Sequence, residues 1–302
     1  MSRRGPEILC LSAGLLLCGY HGQTAETAPV TKTGLARIEL ISEVTAIVPG
    51  KPFTLGLLIV PEKGFHTYWK GPGIVGVATR KEWTLPEGFS AGEILWPPPV
   101  RTDMAGLNAH GYRSETCLLT EILPPSAIEA DVVTIKLEAA WMACSTSCHP
   151  GTATFEISLP VERIQPTPPP HAENHGYIES TRASIPPAAP ESWQTYPPKR
   201  ISPDLIQLEI GMKGIEVLDL NSLYFFCDDM QVHSDEAQTF EVASNPEPRL
   251  RILLKSTEFA PSDPETISGL LYSSLGWANT DSKWIRIEAA WPTTRTDYGK
   301  KN

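Results

Sequence analysis

Between residues 35 and 163, apolar and polar residues alternate in short runs that are typical of β-strands. The clearest run is Val133 to Trp141, in which every second side chain from Val133 onward falls on one apolar face. Thr152 to Leu159 alternates in the same way. Because the stretch MACSTSCHPG lies between these two runs, we expect a β-hairpin whose connection carries Cys144 and Cys148.

A second alternating region covers residues 201–296, and a proline-rich segment separates it from the first. Nine of the 37 residues in 164–200 are proline, which predicts a linker with extended pieces and a short helix in HAENHGYIESTRAS. Neither alternating region contains a helical pattern of any length. The sequence therefore predicts an all-β chain of two β-sandwich domains, 35–163 and 201–296. The expected strands of the second domain are LIQLEIGM, IEVLDL, LYFF, RLRILLK, ISGLLY and KWIRIEAAW.

The N-terminus has the pattern of an export signal. Arg3 and Arg4 precede the uncharged apolar run Ile8 to Tyr20, which is too short to cross a bilayer of about 30 Å as a helix. We therefore predict a signal peptide over residues 1–28 and a periplasmic mature protein. No later segment is long and apolar enough to span a membrane, so we expect the mature chain not to be membrane-spanning.

Charge and missing motifs exclude several classes of function. The formal net charge is -10, from 35 acidic and 25 basic residues, and this field disfavours binding to a phosphate backbone. Nucleic acid is therefore not an expected partner. The sequence has no nucleophilic serine motif, phosphate loop or dinucleotide fingerprint, so hydrolase and kinase functions have no support.

Six cysteines are present, and removal of the signal peptide leaves four. In an oxidising compartment, these four can pair structurally, exchange electrons or bind metal. Cys117 and Cys227 lie in strand-like surroundings, where an isolated cysteine is usually a small buried hydrophobic residue. A bridge between Cys117 and Cys227 is the alternative. The other two are Cys144 and Cys148.

The spacing of Cys144 and Cys148 favours exchange. A disulfide between them closes a very small ring, so it restricts the unfolded chain little and stabilises the fold weakly. An exposed bridge at a tight bend is also more easily reduced. His149 next to the pair is a candidate for stabilising a thiolate or supplying a proton. A structural bridge and metal ligation remain open, the latter as a copper site of Cys144, Cys148 and His149, with His110 as a further candidate ligand.

Four ordered motifs resemble the N-terminal domain of DsbD-type thiol:disulfide interchange proteins. They are FHTYWKGPG, EWTLPEGFSAGEILWPPPVR, HGYRSETCLL and WMACSTSCHPGTATFEISLPV. The resemblance extends to the two-domain form found in suppressor-of-copper-sensitivity proteins. The resemblance implies immunoglobulin-like sandwiches and a protein-disulfide reductase type of activity, in the settings of cytochrome c biogenesis and copper tolerance.

The resemblance also implies roles for particular residues and partners. Cys144 and Cys148 would be the redox pair, needing no cofactor, and Cys148 would form mixed disulfides. The segment Thr102 to Tyr112 would cap the disulfide, with His110 and Tyr112 as candidate capping residues. Electrons would come from a membrane electron-transfer protein and pass to thioredoxin-like periplasmic proteins. The sequence has neither the membrane carrier nor the thioredoxin-like domain of the full family protein, so we expect a separate donor. A copper-binding protein and a non-catalytic binding module are the alternatives.

Overall fold

The regular structure of the described residues is mostly β-strand, as the sequence predicts. The computed structural model describes residues 25–26, 30–212, 219–243, 247–277 and 280–292. Apart from residues 25–26, the predicted signal peptide lies outside these ranges. The strands of the N-terminal half are β1 (Ala25–Glu26), β2 (Val30–Lys32), β3 (Leu35–Ser42), β4 (Phe53–Pro61), β5 (Thr67–Gly73), β6 (Arg80–Thr84), β7 (Ser90–Ala91), β8 (Val100–Met104), β9 (Leu107–Tyr112), β10 (Thr116–Leu123), β11 (Val132–Cys144) and β12 (Cys148–Pro160).

The C-terminal half begins with one helix and continues in strands. The elements are α1 (Asn174–Ser184), β13 (Trp193–Ser202), β14 (Leu205–Met212), a short 3-10 turn (Leu220–Ser222), β15 (Leu223–Cys227), β16 (Thr239–Ala243), β17 (Arg249–Lys255), β18 (Thr266–Ser273) and β19 (Trp284–Ala290). In the part of the chain described, no helix is long and apolar enough to cross a membrane.

Two antiparallel sheets form the first sandwich. One has the strand order β1-β12-β11-β6 and the other β2-β3-β4-β10-β7. Alternate residues of β11 from Val133 to Trp141 point inward and are buried, which confirms the predicted apolar face. They pack against the inward side chains of β3, β4 and β10 in one core. A smaller sheet, β5-β9-β8, lies at one end and reaches the tip of the β11–β12 hairpin.

Strand β4 is buried on both faces, because helix α1 covers the outer face of its sheet. Ile178 of α1 packs on Leu58 and Leu119, and Arg182 of α1 pairs with Glu43 at 3.0 Å. The continuous apolar run of β4 is typical of a strand with two covered faces. The proline-rich segment therefore packs against the first sandwich through its helix.

The second sandwich also has two antiparallel sheets, β13-β14-β17-β16 and β15-β18-β19, around a separate core. Its first strand, Trp193–Ser202, begins inside the segment predicted as a linker over 164–200. β13 is an edge strand, and its register shifts between Tyr196 and Lys199, around Pro197 and Pro198. Since an edge strand with a bulge tolerates proline, the proline content did not reveal this strand. Most of the predicted strand IEVLDL lies outside the described residues.

The two sandwiches contact each other along β5 and β15. A side-chain carbon at Gly71 would lie only 2.0 Å from the carbonyl oxygen of Cys227, so this contact is between two backbones. Phe226 and Leu270 of the second sandwich extend the first core. Asp228 lies 2.7 Å from Lys70, so an ion pair also joins the halves.

Candidate functional site

The predicted cysteine hairpin is present, and its tip carries a disulfide. Strands β11 and β12 pair along their full length, and Cys144 opposite Cys148 is the last pair of the ladder. The Sγ atoms of these two residues are bonded, and their Cα atoms lie 4.1 Å apart. The turn is Ser145–Ser147, and Pro150 lies inside β12. It is tolerated there because this end of β12 is an edge, with β1 pairing only at Ile157 and Ser158.

The two sulfur-bearing residues have opposite surroundings. Cys144 is fully buried, whereas Cys148 is exposed. Cys144 is also held on its outer side, since it exchanges two backbone hydrogen bonds of 2.9 Å with His66. The disulfide therefore presents one sulfur-bearing residue to solvent and anchors the other in the fold.

The pocket around Cys144 is apolar with a few polar groups. Cys144 packs with Tyr68 and Ala109. Among the described residues, the hydroxyl of Tyr68 and Nε2 of His66 are buried without a hydrogen-bond partner. Burial raises the pKa of Tyr68 to about 12. Burial and, to a smaller extent, the Arg113 charge lower the pKa of His66, against an opposing effect of Asp103. Both side chains are therefore neutral near pH 7.

A second hairpin, β8–β9, lies over the disulfide. Its two-residue turn is Ala105–Gly106, with φ angles of 54° and 88°, as a tight hairpin turn requires. Met104, the last residue of β8, places its Sδ atom 3.7 Å from Sγ of Cys148. The segment predicted from the resemblance to cap the disulfide is this hairpin. The contacting residue is Met104, which no sequence motif indicated.

His110 and Tyr112, the two predicted capping candidates, contact other parts of the fold. Nδ1 of His110 lies 3.1 Å from the Gly71 carbonyl oxygen, and Nε2 lies 3.0 Å from the Tyr224 hydroxyl. Tyr112 lies in the first core and donates a hydrogen bond to the Pro97 carbonyl at 2.7 Å. Their alternating positions on β9 turn both side chains inward, away from the exposed face of Cys148.

His149 lies beside the disulfide but contacts its own turn. Its Nε2 is 3.0 Å from Oγ of Ser147, and its ring packs against Phe65 with centroids 5.7 Å apart. No group of three or more His, Cys, Asp and Glu side chains within the described ranges is arranged to hold a metal ion. The side chain of His110, the other candidate copper ligand, is directed to Gly71 and Tyr224.

Cys117 and Cys227 are both buried free thiols, so the alternative of a bridge between them is wrong. Burial raises the pKa of Cys117 to about 12, against a smaller lowering by the Lys81 charge. Burial and the nearby carboxylate of Asp229 hold the pKa of Cys227 well above its usual range. Since the thiolate is the reactive form, these two cysteines are inert in the folded protein.

Comparison with known proteins agrees with this geometry. Residues 37–160 match the family described as "Thiol:disulfide interchange protein DsbD, N-terminal". Among solved structures, the N-terminal periplasmic domain of ScsB from Proteus mirabilis is 16% identical with a TM-score of 0.58. The match covers 89% of this chain and 100% of that one. No curated protein sequence matches the chain.

Two other solved structures align at much lower similarity. Spo0M, a sporulation control protein from Bacillus subtilis, is 8% identical with a TM-score of 0.21, over 84% of this chain and 89% of that one. A conserved domain protein from Bacillus anthracis is 9% identical with a TM-score of 0.23, over 88% and 89% of the two chains. The resemblance read from the four motifs is thus confirmed: over residues 37–160 the chain matches the N-terminal domain family of the thiol:disulfide interchange protein DsbD, and along most of its length it shares the fold of the ScsB periplasmic domain.

Proposed function

We propose that this chain is a periplasmic thiol–disulfide exchange protein and that Cys144 and Cys148 are its redox pair. The observation that carries the proposal is the unequal burial of the pair at the tip of a hairpin, with Cys148 exposed and Cys144 enclosed. A disulfide that closes so small a ring restricts the unfolded chain little, so it would add little stability to the fold if its role were only structural. The family match supports the same chemistry.

A partner attacks the disulfide at Sγ of Cys148. A thiolate of a reduced partner bonds to Sγ of Cys148, the disulfide breaks, and Cys144 leaves as a thiolate that takes up a proton. The partner's second thiolate then attacks its own sulfur in the mixed disulfide and releases Cys148. Two electrons and two protons have then passed from the partner dithiol to the chain, and the reverse sequence reduces an oxidised client.

The surroundings of the pair suit this sequence of steps. The turn residues beside Cys148 are small, and Thr146 and Ser147 are exposed, so a partner can approach along the line of the disulfide. Cys144 is held in place by the backbone of His66 when the bond opens. The freed Cys144 sulfur therefore stays where it can attack a mixed disulfide on Cys148.

Met104 partly covers the sulfur of Cys148 in this proposal, and we call its side chain the shield. Its thioether covers one side of Cys148, while the rest of the residue stays exposed, so Met104 restricts the directions from which a thiol can reach the sulfur. A partner that approaches from the covered side must contribute binding energy to displace Met104, which favours partners that bind the surface around the disulfide.

The donor and the clients follow from the family and from the export pattern. We propose a membrane electron-transfer protein as the donor and thioredoxin-like periplasmic proteins as acceptors. Arg3, Arg4 and the apolar run after them support export.

Electron exchange with a thioredoxin-fold protein of known potential tests this function. The oxidised mature chain is mixed with the reduced partner, and samples taken over time are alkylated. Mass spectrometry then gives the number of free thiols in each protein. We expect both proteins to reach a mixture of oxidised and reduced forms. The Cys117→Ala variant, which removes a buried thiol outside the site, should behave as the parent. A disulfide that dithiothreitol reduces but no thioredoxin-fold protein reduces would contradict the proposal.

A further inference from the structure

The second sandwich holds the hairpin that covers the disulfide. Oδ1 of Asp235 accepts two hydrogen bonds from Asn108 in β9, one from the backbone N–H at 3.0 Å and one from Nδ2 at 2.8 Å. A charged acceptor shared by two donors of one residue is a strong and directional contact. Asn108 and Asp235 are 127 positions apart, so this contact joins the two sandwiches.

Ser234 completes the attachment of Asn108. Its hydroxyl donates to the Asn108 carbonyl at 2.6 Å and accepts from the backbone N–H of Ile74 at 3.1 Å. Gly73 makes room for it, because a side-chain carbon there would lie 2.3 Å from Oγ of Ser234. The N–H, the carbonyl and the side-chain amide of Asn108 are thus all bound by two consecutive residues of the second sandwich.

Two aromatic contacts extend this attachment along the hairpin. The guanidinium of Arg101 in β8 lies over the Tyr224 ring, 5.1 Å from its centroid. The Tyr224 hydroxyl meets Nε2 of His110 in β9 at 3.0 Å. Both strands of the hairpin are therefore fixed to the same surface of the second sandwich.

Asn108, where the second sandwich attaches, is close to the shield residue Met104. Asn108 pairs with Asp103, and the next pair of the ladder is Met104 with Leu107. Only the two-residue turn lies beyond Met104, and such a turn leaves little freedom. Fixing Asn108 therefore fixes the position of the Met104 thioether over Cys148.

We propose that Asp235 is a positioning residue that holds Met104 over Cys148, so that the second sandwich controls access to the disulfide. This inference rests on the proposed exchange function for its biological meaning. Its physical content is that loss of the Asp235 contact increases the fraction of time in which Cys148 is uncovered. The apparent rate of attack on a covered group scales with that fraction.

Reduction of the full-length mature chain by dithiothreitol is the test. Asp235→Ala should raise the second-order rate constant about three- to tenfold. Asp235→Asn keeps an acceptor oxygen and should stay nearer to the parent. Asp204→Ala is the matched control, because it removes another second-sandwich carboxylate, which pairs with Lys255 away from the hairpin. Ser234→Ala provides a second way to weaken the attachment if Asp235→Ala does not fold.

A double variant separates positioning from a general loss of structure. In a Met104→Ala background the shield is already absent, so adding Asp235→Ala should change the rate less than about twofold. An equal acceleration in both backgrounds overturns the proposal, and so does an Asp235→Ala rate equal to the parent rate. Because dithiothreitol replaces the protein partner, failure of electron exchange with thioredoxin-fold proteins would refute the proposed function without touching this result.

Discussion

The Sδ atom of Met104 lies 3.7 Å from Sγ of Cys148, so the tip of one hairpin covers the tip of another. The two residues belong to β8 and β12, which lie in different sheets. The contact is between a thioether and a disulfide sulfur, neither of which carries a proton to donate. It therefore covers one side of Cys148 by van der Waals contact, without a directional bond.

Removing this cover should make the disulfide more reactive. We expect Met104→Ala to raise the rate of reduction by a small thiol about three- to tenfold, because the uncovered fraction of Cys148 increases. Met104→Leu keeps most of the side-chain volume and should remain near the parent rate. Stopped-flow measurement of dithiothreitol reduction checks both. Equal rates for Met104→Ala and the parent would show that Met104 does not shield the sulfur.

The unequal burial of the pair predicts unequal reactivity of the single thiols. In Cys144→Ala, the remaining Cys148 is exposed and should react with iodoacetamide at least about tenfold faster than Cys144 does in Cys148→Ala. Cys117 and Cys227 should label only after unfolding, since burial raises the pKa of both thiols. Mass spectrometry of timed samples gives each rate. Comparable labelling of Cys144 and Cys148 is the contrary result.

The backbone contact between the sandwiches predicts a steric effect at Gly71. A methyl group there would lie 2.0 Å from the Cys227 carbonyl oxygen, so Gly71→Ala should destabilise the chain by about 1–3 kcal/mol. Gly176→Ala is the matched control, because this helical glycine has nothing within 4 Å and should gain about 0.5–1 kcal/mol. Urea denaturation followed by tryptophan fluorescence measures both. A Gly71→Ala chain as stable as the parent would mean that the two backbones are not in contact.

The buried position of His110 between the two sandwiches predicts that the stability of the fold falls at acid pH. Burial, reinforced by the Arg101 charge and opposed by the hydrogen bond to Gly71, lowers the pKa of His110 from 6.5 to about 4. The neutral ring donates from Nδ1 to the Gly71 carbonyl and accepts from the Tyr224 hydroxyl at Nε2. Between pH 6.5 and about 4, His110 therefore binds a proton in the unfolded chain but not in the folded chain. This contribution to stability is complete above pH 6.5 and is lost as the pH falls toward about 4.

A comparison of pH profiles isolates this residue. Between pH 6.5 and about 4, the stability of the parent should fall more steeply than that of His110→Gln, by up to about 3 kcal/mol over the range. Urea denaturation at a series of pH values gives both curves. Parallel curves for parent and variant would contradict the lowered pKa.

Local pattern predicted the cysteine hairpin, because alternation in β11 and β12 is a property of neighbouring residues. The cover over it was not predictable in the same way. Met104 and Cys148 are 44 positions apart in the sequence, and Asn108 and Asp235 are 127 apart. Contacts over such separations do not depend on the pattern of neighbouring residues, so local pattern does not predict them. The start of β13 was missed for another reason. Prolines indicated a linker, whereas the strand sits at a sheet edge where proline is tolerated.

The central claim, that partners exchange through Cys148, is tested most directly by trapping a protein mixed disulfide. A thioredoxin-fold protein with a single active-site cysteine, activated as a thionitrobenzoate disulfide, is mixed separately with Cys144→Ala and Cys148→Ala, and release of thionitrobenzoate is followed. We expect Cys144→Ala to form the mixed disulfide at least about tenfold faster, because only Cys148 is exposed. Equal rates, or no adduct with Cys144→Ala, would contradict the account.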